Sequence, residues 1–185
     1  MGIHKRDILV GRVEDARDAQ FEAQKQFKSA LDQFGAVVHI ENSNLKEAYE
    51  KLNAAYEDSE EAAAEVSARI NRIESVAGAL FKEWENELKL YKSDDLRRSS
   101  QQKLRDTKIR YEKMLANMHR AEKSMEPVLR SFRDNVLFLK HNLNAQAIGS
   151  LRSEFFTLKG EIDDLIKKMN VAIETSNKFI ADMKQ

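Results

Sequence analysis

The chain has 185 residues, and its single proline, six glycines and 34% of charged residues form a composition that favours helix over strand. Its 31 basic and 31 acidic residues cancel to a net charge of zero, so no overall charge draws the protein to nucleic acid or to an anionic surface. Without cysteine it has no disulfide, no thiolate metal site and no cysteine nucleophile. We expect a single all-α domain over residues 1–185.

The first segment has apolar residues at alternating steps of three and four, which keep one stripe of a helix against a partner. This stripe predicts a helix over about residues 5–39. Gln20 is its polar member, and a polar residue on such a stripe fixes register at a cost in stability. The stripe consists of Leu9, Val13, Ala16, Gln20, Ala23, Phe27, Ala30, Phe34 and Val37.

The second segment follows Asn42, Ser43 and Asn44, all residue types that cap helix N-termini. It predicts a helix over about residues 45–91. This helix ends there because Ser93 is a further N-cap residue, and the two acids after it suit the N-terminal dipole of the next helix. Its stripe consists of Leu45, Tyr49, Leu52, Tyr56, Ser59, Ala63, Val66, Ile70, Ile73, Ala77, Leu80 and Trp84.

The third segment predicts a helix over about residues 95–141. Pro127 lies inside it and should bend the helix without ending it, because the apolar spacing passes through unchanged. The positions at intervals of seven are Leu104, Tyr111, Met118, Met125, Phe132 and Leu139. Alternate stripe positions are assigned to Leu115, Leu129, Val136 and Leu143.

The fourth segment predicts a helix over about residues 145–183 after a turn at residues 142–144. Such short connections force consecutive helices to run antiparallel. The sequence therefore predicts an elongated antiparallel up-down-up-down four-helix coiled-coil bundle, with helices up to roughly 70 Å long. The fourth stripe consists of Ile148, Leu151, Phe155, Leu158, Ile162, Leu165, Met169, Ala172, Ser176, Phe179 and Met183.

Folding the hairpins in this way gathers most aromatic residues toward one end of the bundle. We expect large rings there to fill a wider core, and a groove for a partner is the alternative. At mid-height the core should be narrow and partly polar, since Gln20 and Ser59 lie among alanines. The gathered aromatics are Phe27, Phe34, Tyr49, Tyr56, Phe132, Phe138, Phe155 and Phe156.

The sequence carries no recognised catalytic or cofactor motif. The histidines, His4, His39, His119 and His141, include no Glu-x-x-His pair, which argues against a ferritin-type di-iron site. No glycine-rich phosphate loop occurs, and unbroken runs of large apolar residues stop at about four, far short of a membrane span. We expect a protein that is not an enzyme and that needs no metal or cofactor.

The most basic stretch lies just after the second predicted turn. Glu83, Glu85 and Glu87 lie across that turn, so we expect charge pairing between helices, with an anionic partner as the alternative. We expect no nucleic-acid partner. The basic residues are Arg97, Arg98, Lys103, Arg105, Lys108, Arg110 and Lys113.

Several short stretches distributed over the whole chain carry a family resemblance, namely residues 2–10, 12–20, 52–53, 56–59, 96–98, 125–129 and 139–145. The chain resembles a family of proteobacterial proteins of unknown function that are predicted lipoproteins. The resemblance implies a signal peptide and a lipid-attachment cysteine ahead of residue 1, and hence a periplasmic protein tethered to a membrane by its N-terminal lipid. It implies no activity.

These observations lead to a structural or interaction protein, a lipid-anchored helical rod that acts as scaffold or spacer in the bacterial cell envelope. The alternative is a membrane-surface helical module, as monomer or homodimer, that binds or shapes lipid. Both termini should share one end of the rod, and the opposite tip should contact a partner protein or envelope component. Its candidate contact residues, which alternatively only cap helices, are His39, Asn42, Asn44, His141, Asn142 and Asn144.

Overall fold

The computed structural model describes residues 2–39 and 44–185, with side chains from residue 4 onward. Of the described residues, 94% are helical and none lies in a strand, which confirms the all-α class. The largest boundary differences are at the start of the first helix and the end of the second, where the sequence indicated residues 5 and 91. The four helices are α1 (Gly2–Val38), α2 (Leu45–Leu88), α3 (Asp94–His141) and α4 (Ala145–Lys184).

Polar caps fix where the last three helices begin. The side chain of Asn44 accepts a hydrogen bond from the Glu47 amide at 3.3 Å, and Asn144 accepts one from the Ala147 amide at 3.0 Å. Ser93 does the same for α3, ahead of two acidic residues in its first turn. Each cap satisfies an amide that has no partner within its own helix, so the short turns also define the helix starts.

The helices form a ring in which each one packs against two neighbours. Contacts join α1 to α2, α2 to α3, α3 to α4 and α4 back to α1, and the part of the chain that the structure describes has no diagonal contact. Side-chain pairs show that neighbours are antiparallel, because Gln24 bonds Asn170 at 2.7 Å while Arg17, nearer the start of α1, bonds Asn177 at 3.1 Å. This is the predicted up-down-up-down bundle.

The core follows the predicted stripes in α1, α2 and α4. Every assigned position of α1 is buried, including Gln20. The α2 stripe is buried from Ser59 to Leu80, but its positions nearer the helix ends are only partly buried at Leu45, Tyr49, Tyr56 and Trp84. Phe155 is the one assigned position of α4 that is only partly buried. Burial of these stripes supplies the main stabilisation of the bundle, since long helices gain little from helix propensity alone.

The alternate stripe of α3 differs from its prediction. Val136 is buried as predicted, whereas Leu115 and Leu129 are only partly buried and the residue before each of them is buried instead. Leu143 lies beyond the end of α3 and is exposed. Polar residues hold some of these core positions because their side chains bond their own helix: Asn135 donates to the Ser131 carbonyl at 2.7 Å. The buried alternate positions are Thr107, Met114, Ala121, Val128 and Asn135.

Pro127 lies within α3, and the helix continues through it as predicted. The residue is exposed, as is Lys123 one turn earlier, whose carbonyl loses the amide that proline lacks. Water can satisfy a carbonyl on that face, which explains why the helix tolerates the proline.

Candidate functional site

The topology gives the bundle two chemically different ends. The end that holds the termini, called the proximal end here, is fixed by an ion pair between Lys5 and Glu83 and by a 2.9 Å hydrogen bond from the Arg6 guanidinium to the Met183 carbonyl. The turn at residues 89–93 lies at the same end. The opposite end, called the distal end, holds the turn at residues 142–144 and the end of α1.

The sequence-predicted contact residues that are described all lie at the distal end, and most of them bond helix termini. Nδ1 of His39 contacts the Gly35 carbonyl at 2.6 Å, and Nδ2 of Asn142 donates to the Phe138 carbonyl at 2.9 Å. Asn44 and Asn144 are the N-caps of α2 and α4. His141 is the exposed last residue of α3, and Asn42 lies outside the described residues.

Arg152 adds a distal contact that the sequence did not reveal. Its Nε donates to the Val38 carbonyl at 2.8 Å and joins the start of α4 to the last turn of α1. A cation at a helix C-terminus stabilises both the free carbonyls and the helix dipole. Helix capping is thus shared between side chains of different helices at this end, and only the folded bundle brings them together.

An aromatic cluster fills the core below the distal end, as predicted. The ring of Phe34 stacks on Phe155 at 5.9 Å between centroids and lies 6.0 Å from Phe132, which also stacks on Tyr56 at 6.0 Å. His39 contacts the same cluster edge-on, with 6.2 Å between its ring and that of Phe155. His39 is the candidate contact residue that packs on the cluster, whose closely packed rings have few alternative rotamers.

Two aromatics assigned to this core are instead exposed. Phe156 is 70% exposed and Phe138 is also on the surface. Phe155 and Phe156 are adjacent on one helix, so only one of the two rings can face the core, and that adjacency is the signal the sequence offered. Two leucines at the same end are exposed as well. These four exposed side chains of the distal end are together called the distal apolar surface, and they are Leu137, Phe138, Leu143 and Phe156.

An open groove of about 470 Å³ runs between α3 and α4 beside Phe138. Deeper in the same interface, Glu161 accepts a hydrogen bond from Ser131 at 3.3 Å, and its second carboxylate oxygen is buried without a partner in the described protein. The groove combines one aromatic ring with hydroxyls and carboxylates, a lining suited to polar or cationic groups. It is lined by Ser131, Asp134, Asn135, Phe138, Ser150, Leu151, Ser153 and Glu154.

His119 lies between two carboxylates on the side of the rod. Its Nε2 is 2.9 Å from Glu74 of α2, and its Nδ1 is 2.9 Å from Glu122 of α3. A neutral imidazole has one N–H, so both contacts are hydrogen bonds only with the cationic ring. The site joins two helices, and within residues 2–39 and 44–185 no group of three or more histidines and acids is arranged to hold a metal ion.

The basic stretch of α3 pairs only in part with the acids across the turn. Lys108 pairs with Glu85 of α2, as predicted, whereas Arg110 is 3.7 Å from Asp182 of α4. Arg97 and Arg98 pair within their own helix, with Asp94 at 2.7 Å and Asp95 at 2.9 Å. Interhelical pairing therefore accounts for the middle of the stretch and leaves its beginning to contact solvent.

None of the four helices, over their described residues, combines the length and the apolar character that crossing a bilayer requires. Comparison with known proteins yields no match among curated proteins and none among solved structures. The family with the description "Protein of unknown function (DUF2959)" matches residues 1–183. The match spans nearly the whole bundle, and the chain therefore belongs to this DUF2959 family.

Proposed function

We propose that the chain is a structural or interaction protein, a helical rod that acts as scaffold or spacer in the bacterial cell envelope. The observation that supports this function is the separation of its two ends. The Arg6–Met183 contact keeps both termini at the proximal end, while the distal apolar surface lies at the other end of helices that are 37 to 48 residues long. At 1.5 Å per residue the two ends are roughly 55 to 70 Å apart.

The distal apolar surface is the part of this rod best suited to a protein partner. It holds four exposed phenylalanine and leucine side chains at one end of the rod, and aromatic side chains are enriched in protein interfaces. Phe156 packs edge-on against Phe155 of the aromatic cluster, with 5.5 Å between ring centroids, and a side chain held in this way loses less entropy on binding. His39, His141, Asn44, Asn142 and Asn144 lie at the same end and would supply polar contacts to such a partner.

We further propose that the natural protein is periplasmic and tethered to a membrane by an N-terminal lipid. The family resemblance supports this location, and the proximal position of the N-terminus agrees with a rod that projects from the membrane. Labelling of the natural gene product with a fatty acid, followed by fractionation of the envelope, tests it. Recovery of unlabelled protein from the cytoplasm would contradict it.

Site-specific photocrosslinking in the native envelope tests the interaction role. A photoreactive residue replaces Phe156 at the distal end or, as the matched control, Ile109 on the side of α3, which is 65% exposed. The proposal expects one defined envelope component to crosslink at position 156 and not at position 109. Equal yields at both positions, or none at position 156, would contradict a distal partner.

The asparagines of the distal end are tested in the same assay. If they contact the partner, Asn42→Ala with Asn142→Ala removes the crosslink at position 156 and lowers unfolding free energy by only about 1 kcal/mol, the cost of one capping bond. A much larger loss of stability with an unchanged crosslink would leave capping as their role. The homodimer alternative predicts that the crosslinked species is a second copy of this chain.

A further inference from the structure

The proximal end carries an exposed apolar tip at the turn between α2 and α3. Residues 89–103 are all exposed except Ser100, which is half-buried, and the first buried side chain of α3 is Leu104. Within this tip Leu90 is 77% exposed and Leu96 is 60% exposed, and Tyr91 is exposed beside them. Large apolar side chains that project this far from a turn contribute nothing to the core of their own protein.

The tip is also strongly basic in a chain whose total charge is zero. Residues 89–105 hold six cations against two carboxylates, an excess of four positive charges. The carboxylates of Asp94 and Asp95 each pair with an arginine. The remaining cations make no ion pair with any residue that the structure describes, and they are Lys89, Lys92, Lys103 and Arg105.

Hydrogen bonds hold the tip in shape. The Leu90 amide donates to the Glu87 carbonyl at 2.9 Å, and the Ser93 hydroxyl caps α3. The indole of Trp84 donates to the Ser100 hydroxyl at 3.0 Å and thereby ties α2 to the projecting start of α3. The apolar side chains are therefore presented outward by a fixed turn.

We propose that this tip binds the surface of an anionic lipid bilayer, with Leu90 and Leu96 entering the interfacial region and the unpaired cations lying against headgroup phosphates. Apolar side chains flanked by lysine and arginine are the combination that interfacial binding uses. The two most exposed apolar side chains are aliphatic, and Tyr91 is the one exposed aromatic residue among residues 89–103, so the tip suits acyl chains better than a row of stacked bases. This inference requires neither a distal partner nor an N-terminal lipid, and it extends beyond the spacer role.

Vesicle sedimentation with the lipid-free chain tests the proposal. We expect the chain to pellet with vesicles of phosphatidylglycerol and phosphatidylethanolamine, to remain in the supernatant with phosphatidylcholine alone, and to detach as salt rises. Lys89, Lys92, Lys103 and Arg105 changed together to glutamine should lower the partition coefficient about tenfold or more. Leu90→Ser with Leu96→Ser should lower it by a similar factor while salt sensitivity remains.

Matched variants elsewhere on the rod separate this tip from general surface properties. Leu143→Ser with Phe156→Ser removes two exposed apolar side chains at the distal end and should not change vesicle binding. A second control variant has glutamine in place of four exposed cations outside the tip, and its net charge equals that of the tip variant. It should bind vesicles as the unaltered chain does. The four cations are Lys28, Lys46, Lys123 and Arg130.

Three results would overturn the proposal. One is vesicle binding that falls equally in the tip variants and in their matched controls, with circular dichroism showing that all remain helical. Another is a tip that binds heparin or an oligonucleotide but not anionic vesicles, which would make the cations a polyanion site and leave the leucines without a role. Failure of the chain to pellet with any anionic vesicle would likewise reject it.

Discussion

Two glutamines one turn apart on α1 show that the effect of a buried side-chain amide on stability depends on its hydrogen-bond partners. Gln20 is fully buried, and neither its amide nitrogen nor its amide oxygen has a hydrogen-bond partner in the described protein. Gln24 is almost as buried, yet its nitrogen donates to Asn170 at 2.7 Å and to the Ile166 carbonyl at 3.3 Å. The first amide costs stability, while the second joins α1 to α4.

We predict that Gln20→Met stabilises the bundle by about 1 to 3 kcal/mol, because it replaces an unpaired buried amide by an apolar side chain of similar volume. Gln24→Met should instead destabilise it by about 1 kcal/mol, since it removes two bonds to α4. Urea unfolding of both variants measures the difference. A loss of stability in Gln20→Met would show that the buried amide is satisfied by an internal water.

Tyr111 gives the bundle a pH dependence in the alkaline range. Burial, followed by the nearby charges of Glu74 and Glu112, raises its pKa from 10.0 to about 12. The ring packs 5.3 Å from Phe81 and 6.3 Å from Phe179, which explains why the neutral phenol is favoured in the folded state. The unfolded chain therefore loses this proton at lower pH than the folded one.

We predict that the stabilisation from Tyr111 is complete below about pH 10 and declines as the pH rises toward about 12. The unfolding free energy of Tyr111→Phe should change less over that interval than that of the unaltered chain. Denaturant unfolding at a series of alkaline pH values checks this, with the near-ultraviolet phenolate absorbance as a direct titration. Parallel pH profiles for the two proteins would contradict the prediction.

At the scale of the helices, glycine positions differ in what surrounds them. A Cβ added at Gly35 of α1 would lie 3.2 and 3.3 Å from ring atoms of Phe155, inside the distal aromatic cluster. A Cβ at Gly78 of α2 or Gly160 of α4 would meet nothing within 4 Å. Helix propensity favours alanine at all three positions, so sterics decide between them.

We predict that Gly78→Ala and Gly160→Ala each stabilise the bundle by about 0.5 to 1 kcal/mol. At Gly35 the stacked Phe155 ring must shift, so Gly35→Ala should gain less than these or lose stability. Thermal unfolding of the three variants ranks them. If Gly35→Ala stabilised the bundle as much as Gly78→Ala does, the distal aromatic cluster would accommodate the added methyl group at no cost in free energy.

The stripes of α1 and α4 could be predicted because their core positions are nearly all apolar. The error in α3 arose at Leu115 and Leu129, because each follows another apolar residue and either member of the pair fits the spacing. Thr107 and Asn135 would have fixed the choice, but they are polar and are buried only because each bonds a carbonyl of its own helix. Contacts between distant segments, such as Arg152 with the Val38 carbonyl, depend on the relative heights of helices, which periodicity does not specify. The exposed tip at Leu90 was missed for the same reason.

At the scale of the whole molecule, the ring of four long helices predicts a markedly elongated particle. A rod about 70 Å long has a radius of gyration above about 20 Å. A globular protein of this length would have about 16 Å. Small-angle scattering distinguishes the two values and gives the molecular mass, which tests the homodimer alternative. A value near the globular one would contradict the rod.

The contact between Arg6 and Met183 makes the bundle circular in space although its chain is linear. Since α4 packs on α1 as each other helix packs on its successor, the fold does not depend on which turn is left open. A permuted chain that links residue 185 to residue 2 and opens at residues 142–144 would run α4, α1, α2, α3 and retain every helix pair. In that order the original N- and C-termini become a loop at the proximal end, beside the exposed tip of residues 89–103, and the new termini lie at the distal end.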